Sequence, residues 1–146
     1  MALWQKARVP SGYHELWCEE LGSPSGLALL RRRLRRETTG SPTVADPEHD
    51  HWSERLVLIA DELTSNALRH GGSPVAAALS RAADFWMIEV RDSSTQVPPE
   101  PAQGRDPGIG GFGLYLVADL SADHGWFLER GAKTVWAALR ADAVPA

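Results

Sequence analysis

Cysteine is nearly absent from this chain: Cys18 is the only one. A lone thiol excludes an internal disulfide and any cysteine-built zinc cluster, and it suits a reducing compartment, with the cytoplasm as the default. With no local partner to activate it as a thiolate, Cys18 is expected to be a small core residue. Long apolar runs are missing as well. No stretch approaches the roughly 20 apolar residues of a membrane-spanning helix, and Met1 to Pro10 carries no apolar run behind its charges. These absences predict a soluble protein with no membrane partner. Nor is there an excess of positive charge, since 15 Lys and Arg against 19 Asp and Glu give a formal net charge of −4. The surface as a whole therefore does not attract nucleic acid, and any such activity has to come from one local segment. Internal repeats and low-complexity tracts are also lacking.

What is present is the make-up of a folded domain. At 146 residues the chain suffices for one domain with a real core, and 43% hydrophobic residues with six tryptophans lie far from the profile of disorder. Residues Met1 to Gly22 mix aromatic and polar residues without clean periodicity, which suggests a loosely defined strand or two. Ser23-Pro24-Ser25 reads as a helix start, and Leu27, Leu30 and Leu34 recur at helical spacing, predicting a helix over Pro24 to Glu37. A Gly-, Ser- and Pro-rich link leads to a long helix from Pro47 to His70, capped by Asp46, with Trp52, Leu56, Ile59, Leu63 and Ala67 as its buried stripe. Gly71-Gly72-Ser73-Pro74 ends it. Val75 to Leu79 and Phe85 to Arg91 read as a strand pair, Leu114 to Leu120 as a short helix opening out of glycines, and Trp126 to Glu129 with Thr134 to Leu139 as a closing hairpin. This order predicts an α+β two-layer sandwich, with helices on one face of a mixed, mostly antiparallel sheet.

Three segments carry candidate chemistry. Glu62, Asn66 and Arg69 or His70 fall on one edge of the long helix, with a carboxylate and a carboxamide one turn apart. A carboxamide oxygen is a hard neutral ligand that suits magnesium when phosphates supply the remaining ligands. A carboxylate one turn away suits a base acting on a hydroxyl beside a phosphate. Spacing alone leaves open that these residues only solvate a helix face. Gly108-Ile109-Gly110-Gly111-Phe112-Gly113-Leu114 has the composition of an anion cradle, since glycines let backbone N–H groups approach a polyphosphate and the next helix adds its positive end. No apolar strand precedes it and no Gly-Lys-Ser/Thr follows, which excludes a Rossmann site and a P-loop; a flexible glycine linker remains the plain alternative. Asp92, at the end of the second strand, suits an acceptor for an exocyclic amine such as adenine's, although a lone aspartate there is more often a turn residue.

Taken in order, Glu62-Leu63-Thr64-Ser65-Asn66-Ala67-Leu68-Arg69-His70-Gly71, Val90-Arg91-Asp92-Ser93, Gly111-Phe112-Gly113-Leu114 and Gly131-Ala132-Lys133-Thr134-Val135-Trp136 closely resemble the motif series of the histidine-kinase-like ATPase superfamily. Within it the chain looks like the single-domain anti-sigma-factor serine/threonine kinases of the actinobacterial branch, over roughly Pro24 to Arg140. The resemblance implies a Bergerat-type ATP-binding fold with ATP and Mg2+ as cofactors. It implies Glu62 as catalytic base and Asn66 as magnesium ligand. Asp92 would contact the adenine amine, with Thr134 supporting that pocket, and Arg69, His70, Gly108, Gly110, Gly111, Phe112, Gly113 and Leu114 would line the nucleotide site. Pro98 to Gly110 would form the lid. The implied partners are a sigma factor or a STAS-type anti-sigma antagonist phosphorylated on serine or threonine, and a second copy in a homodimer. Two departures stand out. Asp92-Ser93-Ser94-Thr95-Gln96 replaces the family's Asp-x-Gly-x-Gly, and Leu27 falls where an arginine contacts the partner.

Other features admit other readings. Arg31-Arg32-Arg33-Leu34-Arg35-Arg36 is the one basic run; it suits a solvated helix face first, an acidic protein partner second and nucleic acid last. Glu48, His49, Asp50 and His51 point in different directions on a helix, so they read as a polar helix entry rather than a metal site. A non-catalytic ATP-gated binding module uses the same pocket as the kinase, and retention of Glu62 favours the enzyme.

Overall fold

A computed structural model describes residues 4–22, 25–39, 47–96 and 112–141. Eight elements follow one another along the chain: β1 (His14–Leu21), α1 (Ser25–Thr39), α2 (Pro47–His70), β2 (Val75–Ala82), β3 (Phe85–Asp92), α3 (Phe112–Leu120), β4 (Asp123–Glu129) and β5 (Ala132–Arg140). The strands form a five-stranded sheet in the order β1-β2-β3-β5-β4, with every neighbouring pair antiparallel. The expected mixed character is confined, among the described residues, to a single parallel bridge between Lys6 and Trp126.

Apolar spacing accounts for the helices. In α2, Leu56, Val57, Ile59, Ala60, Leu63 and Ala67 are buried and form the stripe that rides on the sheet, while α1 turns Leu30 and Leu34 inward beside it. Proline opens α2 without cost because its missing N–H would have no partner in the first turn. No helix among the described residues is long and apolar enough to cross a membrane.

The pleat then divides the sheet into two faces. Val75, Ala77 and Leu79 of β2, Trp86, Ile88 and Val90 of β3, and Val135, Ala137 and Leu139 of β5 face the helices. Met87, Trp136 and Ala138 face the other way and pack with Ala7, Val9, Tyr13 and Phe127. Residues 4–13 therefore form a strap across the outer face at the β4 side. Three indole N–H groups tie it down: Trp136 donates to the Ala7 carbonyl at 2.8 Å, Trp126 to the Trp4 carbonyl at 3.1 Å, and Trp4 to the Leu114 carbonyl at 3.4 Å. The β4–β5 hairpin turns through Arg130 and Gly131, both at positive φ (53° and 76°), which matches the twist that a two-residue hairpin needs.

One expectation is corrected here. Cys18 is exposed rather than in the core, because the side chains that β1 sends to the helices are Trp17, Glu19 and Leu21, as the register with Leu79, Ala77 and Val75 requires. Its thiol is pushed up, first by partial burial and then by the charge of Glu15. The basic run of α1 lies on a solvent-facing helix face, as expected, and Arg31, Arg33 and Arg35 also pair there with carboxylates of other elements. Arg31 Nε meets both Asp61 carboxylate oxygens at 2.7 and 2.9 Å, Arg35 grips Glu54, and Arg33 pairs with Glu19 while stacking 4.6 Å over the Trp17 ring.

Candidate functional site

The second half of α2 organises the site. Glu62 and Asn66 are half-buried on the edge of the stripe formed by Ile59, Leu63 and Ala67. Between them the buried Thr64 donates its hydroxyl to the Ala60 carbonyl at 2.7 Å, which satisfies it inside the helix and keeps it out of the site's chemistry. At one end, the Glu62 carboxylate lies directly against the backbone of Gly113 in the first turn of α3, and a Cβ at that glycine would run into it. Only glycine permits this approach. Helix N-terminal N–H groups and a carboxylate thus share one small region.

At the other end, α2 stops at Gly71, whose N–H closes on the Ala67 carbonyl at 2.8 Å. A Cβ on Gly71 would sit 2.6 Å from the Asp92 carboxyl, so the missing side chain leaves the room that carboxyl occupies. Ser93 zips the adjoining loop, its N–H donating to the Gly72 carbonyl at 2.9 Å and its hydroxyl to the Ser73 carbonyl at 2.8 Å. Asp92 itself is 2% exposed. Its Oδ1 accepts the Ser94 N–H at 2.7 Å, and its Oδ2 faces the Lys133 ammonium at 3.6 Å. A buried carboxylate held this way keeps acceptor capacity for one more donor.

The structure thus brings Glu62 and Gly113 together at one end of a helix edge and Asp92 to the other, with Asn66 on the helix between them. Arg69 and His70 lie exposed in the last turn of α2, just before Gly71. Leu114 is placed differently from the expectation: its side chain is 1% exposed and belongs to the core, so only its backbone belongs to the α3 turn. Thr134 is not brought to Asp92. Strand β5 alternates, and the register pairs Asp92 with Lys133, so Lys133 shares the helix-facing side with Asp92. Thr134 points to the outer face, where it lines a 370 Å³ cavity with Glu89, Arg91, Phe127 and Glu129. In that cavity burial pushes the Glu89 carboxyl up, against the opposing pull of Arg91. Gly108, Gly110, Gly111 and the expected lid over Pro98 to Gly110 lie outside the described residues, as does the Phe112 side chain.

Lys133 is the residue that sequence reasoning missed. A signal existed: Val135, Ala137 and Leu139 fix the phase of β5, and Lys133 is in phase with them. Among the described residues no three His, Cys, Asp or Glu side chains cluster as a metal site. Asn66 would hold a magnesium ion only together with phosphate oxygens, which is the sparse protein ligation magnesium accepts.

The family model described as histidine kinase-like ATPase domain matches residues 24–139, which includes every site residue described above. The chain belongs to the histidine kinase-like ATPase family. The α+β sandwich, with three helices on one side of its sheet, is the architecture of such an ATPase domain. This histidine kinase-like ATPase domain is also similar to the signal transduction histidine-protein kinase AfsQ2 of Streptomyces coelicolor, with 35% identity over 80 residues. The match covers 48% of the chain and only 15% of that kinase. Membership gives the coarse function: an ATP-binding, kinase-like domain of the kind used in regulation.

Proposed function

We propose that the domain binds ATP with magnesium and transfers its γ-phosphoryl group to a serine or threonine of a protein partner. The observation that carries this reading is the placement of two carboxylates at opposite ends of one helix edge. Glu62 abuts the start of α3 and Asp92 sits beside Gly71. From Glu62 to Gly71 the helix advances about 13 Å at about 1.5 Å per residue. A nucleotide laid along this edge has its base at the buried Asp92 and its phosphates at the α3 N-terminus, whose N–H groups and dipole favour anions. Asn66, between the two, supplies the carboxamide for magnesium, whose bound charge offsets that of the phosphates.

In the transfer, Glu62 takes the proton of the partner's hydroxyl as that oxygen bonds to the γ-phosphorus. The bond to the β–γ bridging oxygen breaks, and ADP leaves. The similarity to a histidine-protein kinase supports ATP as the phosphoryl donor. With so small a part of that kinase covered, the acceptor comes instead from the resemblance to anti-sigma kinases: a STAS-type antagonist, with a sigma factor as the second partner. The three arginine pairs within the fold argue against α1 as a nucleic-acid surface.

The test is calorimetry with Mg·ATP on the wild type and Asn66→Ala, followed by phosphate transfer from labelled ATP to a candidate antagonist by the wild type and Glu62→Gln. We expect Asn66→Ala to weaken binding and Glu62→Gln to lower transfer by about 10²- to 10⁴-fold, the usual contribution of a general base. ATP binding with transfer unchanged in Glu62→Gln would remove the assigned base. Binding without any transfer by the wild type would point to the ATP-gated binding module.

A further inference from the structure

We infer that Lys133 reads the base of the bound nucleotide, acting with Asp92 as a two-point device: Asp92 accepts from the exocyclic amine of adenine, and the Lys133 ammonium donates to the adjacent ring nitrogen N1. This inference rests on the ATP reading above. Its basis is the pair itself. Both side chains are almost fully buried, at 5% and 2% exposure, and they sit side by side on neighbouring strands at the helix-facing end of the β3–β5 ladder. The 3.6 Å between Nζ and Oδ2 is a charge-to-charge approach, longer than a good hydrogen bond. An ammonium has three donors, enough to face a carboxylate and a ligand acceptor at the same time.

Chemistry next to this pair is restricted. The Asp92 carboxyl occupies the room that a side chain at Gly71 would need, and the Ser94 N–H pins Oδ1, so the carboxylate is held in one orientation. An acceptor and a donor next to each other complement the edge of adenine, which presents an N–H donor beside a nitrogen acceptor. Thr134 cannot take this part, because its side chain leaves the sheet on the opposite face. Burying a lysine is costly unless it is paired and hydrogen-bonded. A pair that also binds a ligand explains why an ammonium stands where the strand otherwise sends Val135, Ala137 and Leu139.

The experiment uses the full chain, magnesium, and three nucleotides titrated by calorimetry: ATP, 1-deaza-ATP, which keeps the amine but has C–H in place of N1, and purine riboside triphosphate, which keeps N1 but lacks the amine. The wild type is expected to bind 1-deaza-ATP about tenfold more weakly than ATP, the scale of one hydrogen bond to a charged group. Lys133→Met should bind ATP about tenfold more weakly and lose discrimination between ATP and 1-deaza-ATP, while still preferring ATP to purine riboside triphosphate. Lys133→Gln, which keeps a neutral N–H donor, should retain part of the discrimination. A purely structural lysine would instead weaken all three nucleotides alike when replaced. If the wild type binds ATP and 1-deaza-ATP equally, or if Lys133→Met still discriminates, the role of Lys133 is overturned and the ATP reading stands. If the wild type binds none of the three, both fall. Should neither variant fold, the wild-type comparison of ATP with 1-deaza-ATP decides.

Discussion

Gly71 shows how much of the site hangs on a side chain that is not there. Its position is crowded on two sides, with the Ala67 carbonyl and the Asp92 carboxyl both 2.6 Å from where a Cβ would stand. Neither neighbour yields easily: the carbonyl belongs to the last turn of α2, and the carboxyl is held by Ser94 and Lys133. Gly71→Ala is therefore expected to cost about 1–3 kcal/mol through overpacking and, because Asp92 has to move, to weaken ATP binding as well. Gly22 meets nothing within 4 Å, so Gly22→Ala should stay within about 0.5 kcal/mol of the wild type with ATP affinity unchanged. Urea melts and ATP titrations on the two variants check this. Equal behaviour of both would mean that Asp92 is not held against the end of α2.

At the scale of elements, the strap and β4 carry a titrating contact. The His124 ring lies 4.5 Å from the Trp4 ring, and its Nδ1 is 3.3 Å from the Ser121 hydroxyl. Burial lowers the His124 imidazole from its ordinary value of 6.5, with Asp123 pulling weakly the other way. A base whose folded value is depressed binds more protons when unfolded. Its contribution is fully present above about 6.5 and is lost as the pH falls toward the lower folded value. Melting temperatures between pH 7.5 and 5.5 should thus fall more for the wild type than for His124→Phe, which keeps a ring against Trp4 and removes the proton. Parallel curves would show that the strap does not sense this histidine.

The same elements show what was legible beforehand. The 3.6-residue stripe and the proline and glycine at its ends marked α2 at the bounds it has, from Pro47 to His70, and with it the positions of Glu62 and Asn66. The alternation of Trp86, Ile88 and Val90 likewise put Asp92 at a strand end. Strand β1 was legible only as a vague tendency, because a bulge between Glu15 and Trp17 breaks its alternation and its outer face is polar. The face of Thr134 was harder to read because β5 is apolar on both sides, with Trp136 and Ala138 outside as well as Val135, Ala137 and Leu139 inside, and the pairing of Asp92 with Lys133 bears out the phase of the inner three. The partners of the α1 arginines come from β1 and α2, and no local pattern announces contacts between elements distant in sequence.

Across the whole molecule, the sheet has work on both faces, and Trp4 connects them. Its ring is buried in the helix-side core, its carbonyl accepts from Trp126, and its indole N–H reaches the Leu114 carbonyl in the α3 turn next to Gly113. A strap that covers the outer face thereby also braces the helix whose N-terminus meets Glu62. Trp4→Ala should cost about 3–5 kcal/mol, the range for emptying a buried tryptophan site. Loss of stability alone says nothing about this connection, so the comparison needs a second core deletion. Leu139→Ala serves, since Leu139 is also buried but pairs with Trp86 at the other end of its strand, with an expected cost of about 2–5 kcal/mol. Titrated with ATP at a temperature where both variants remain folded, Leu139→Ala should bind as the wild type does, while Trp4→Ala should bind more weakly because the α3 turn has lost its brace. Equal affinities in the two variants would mean that the strap stabilises the sheet without reaching the nucleotide end of the molecule.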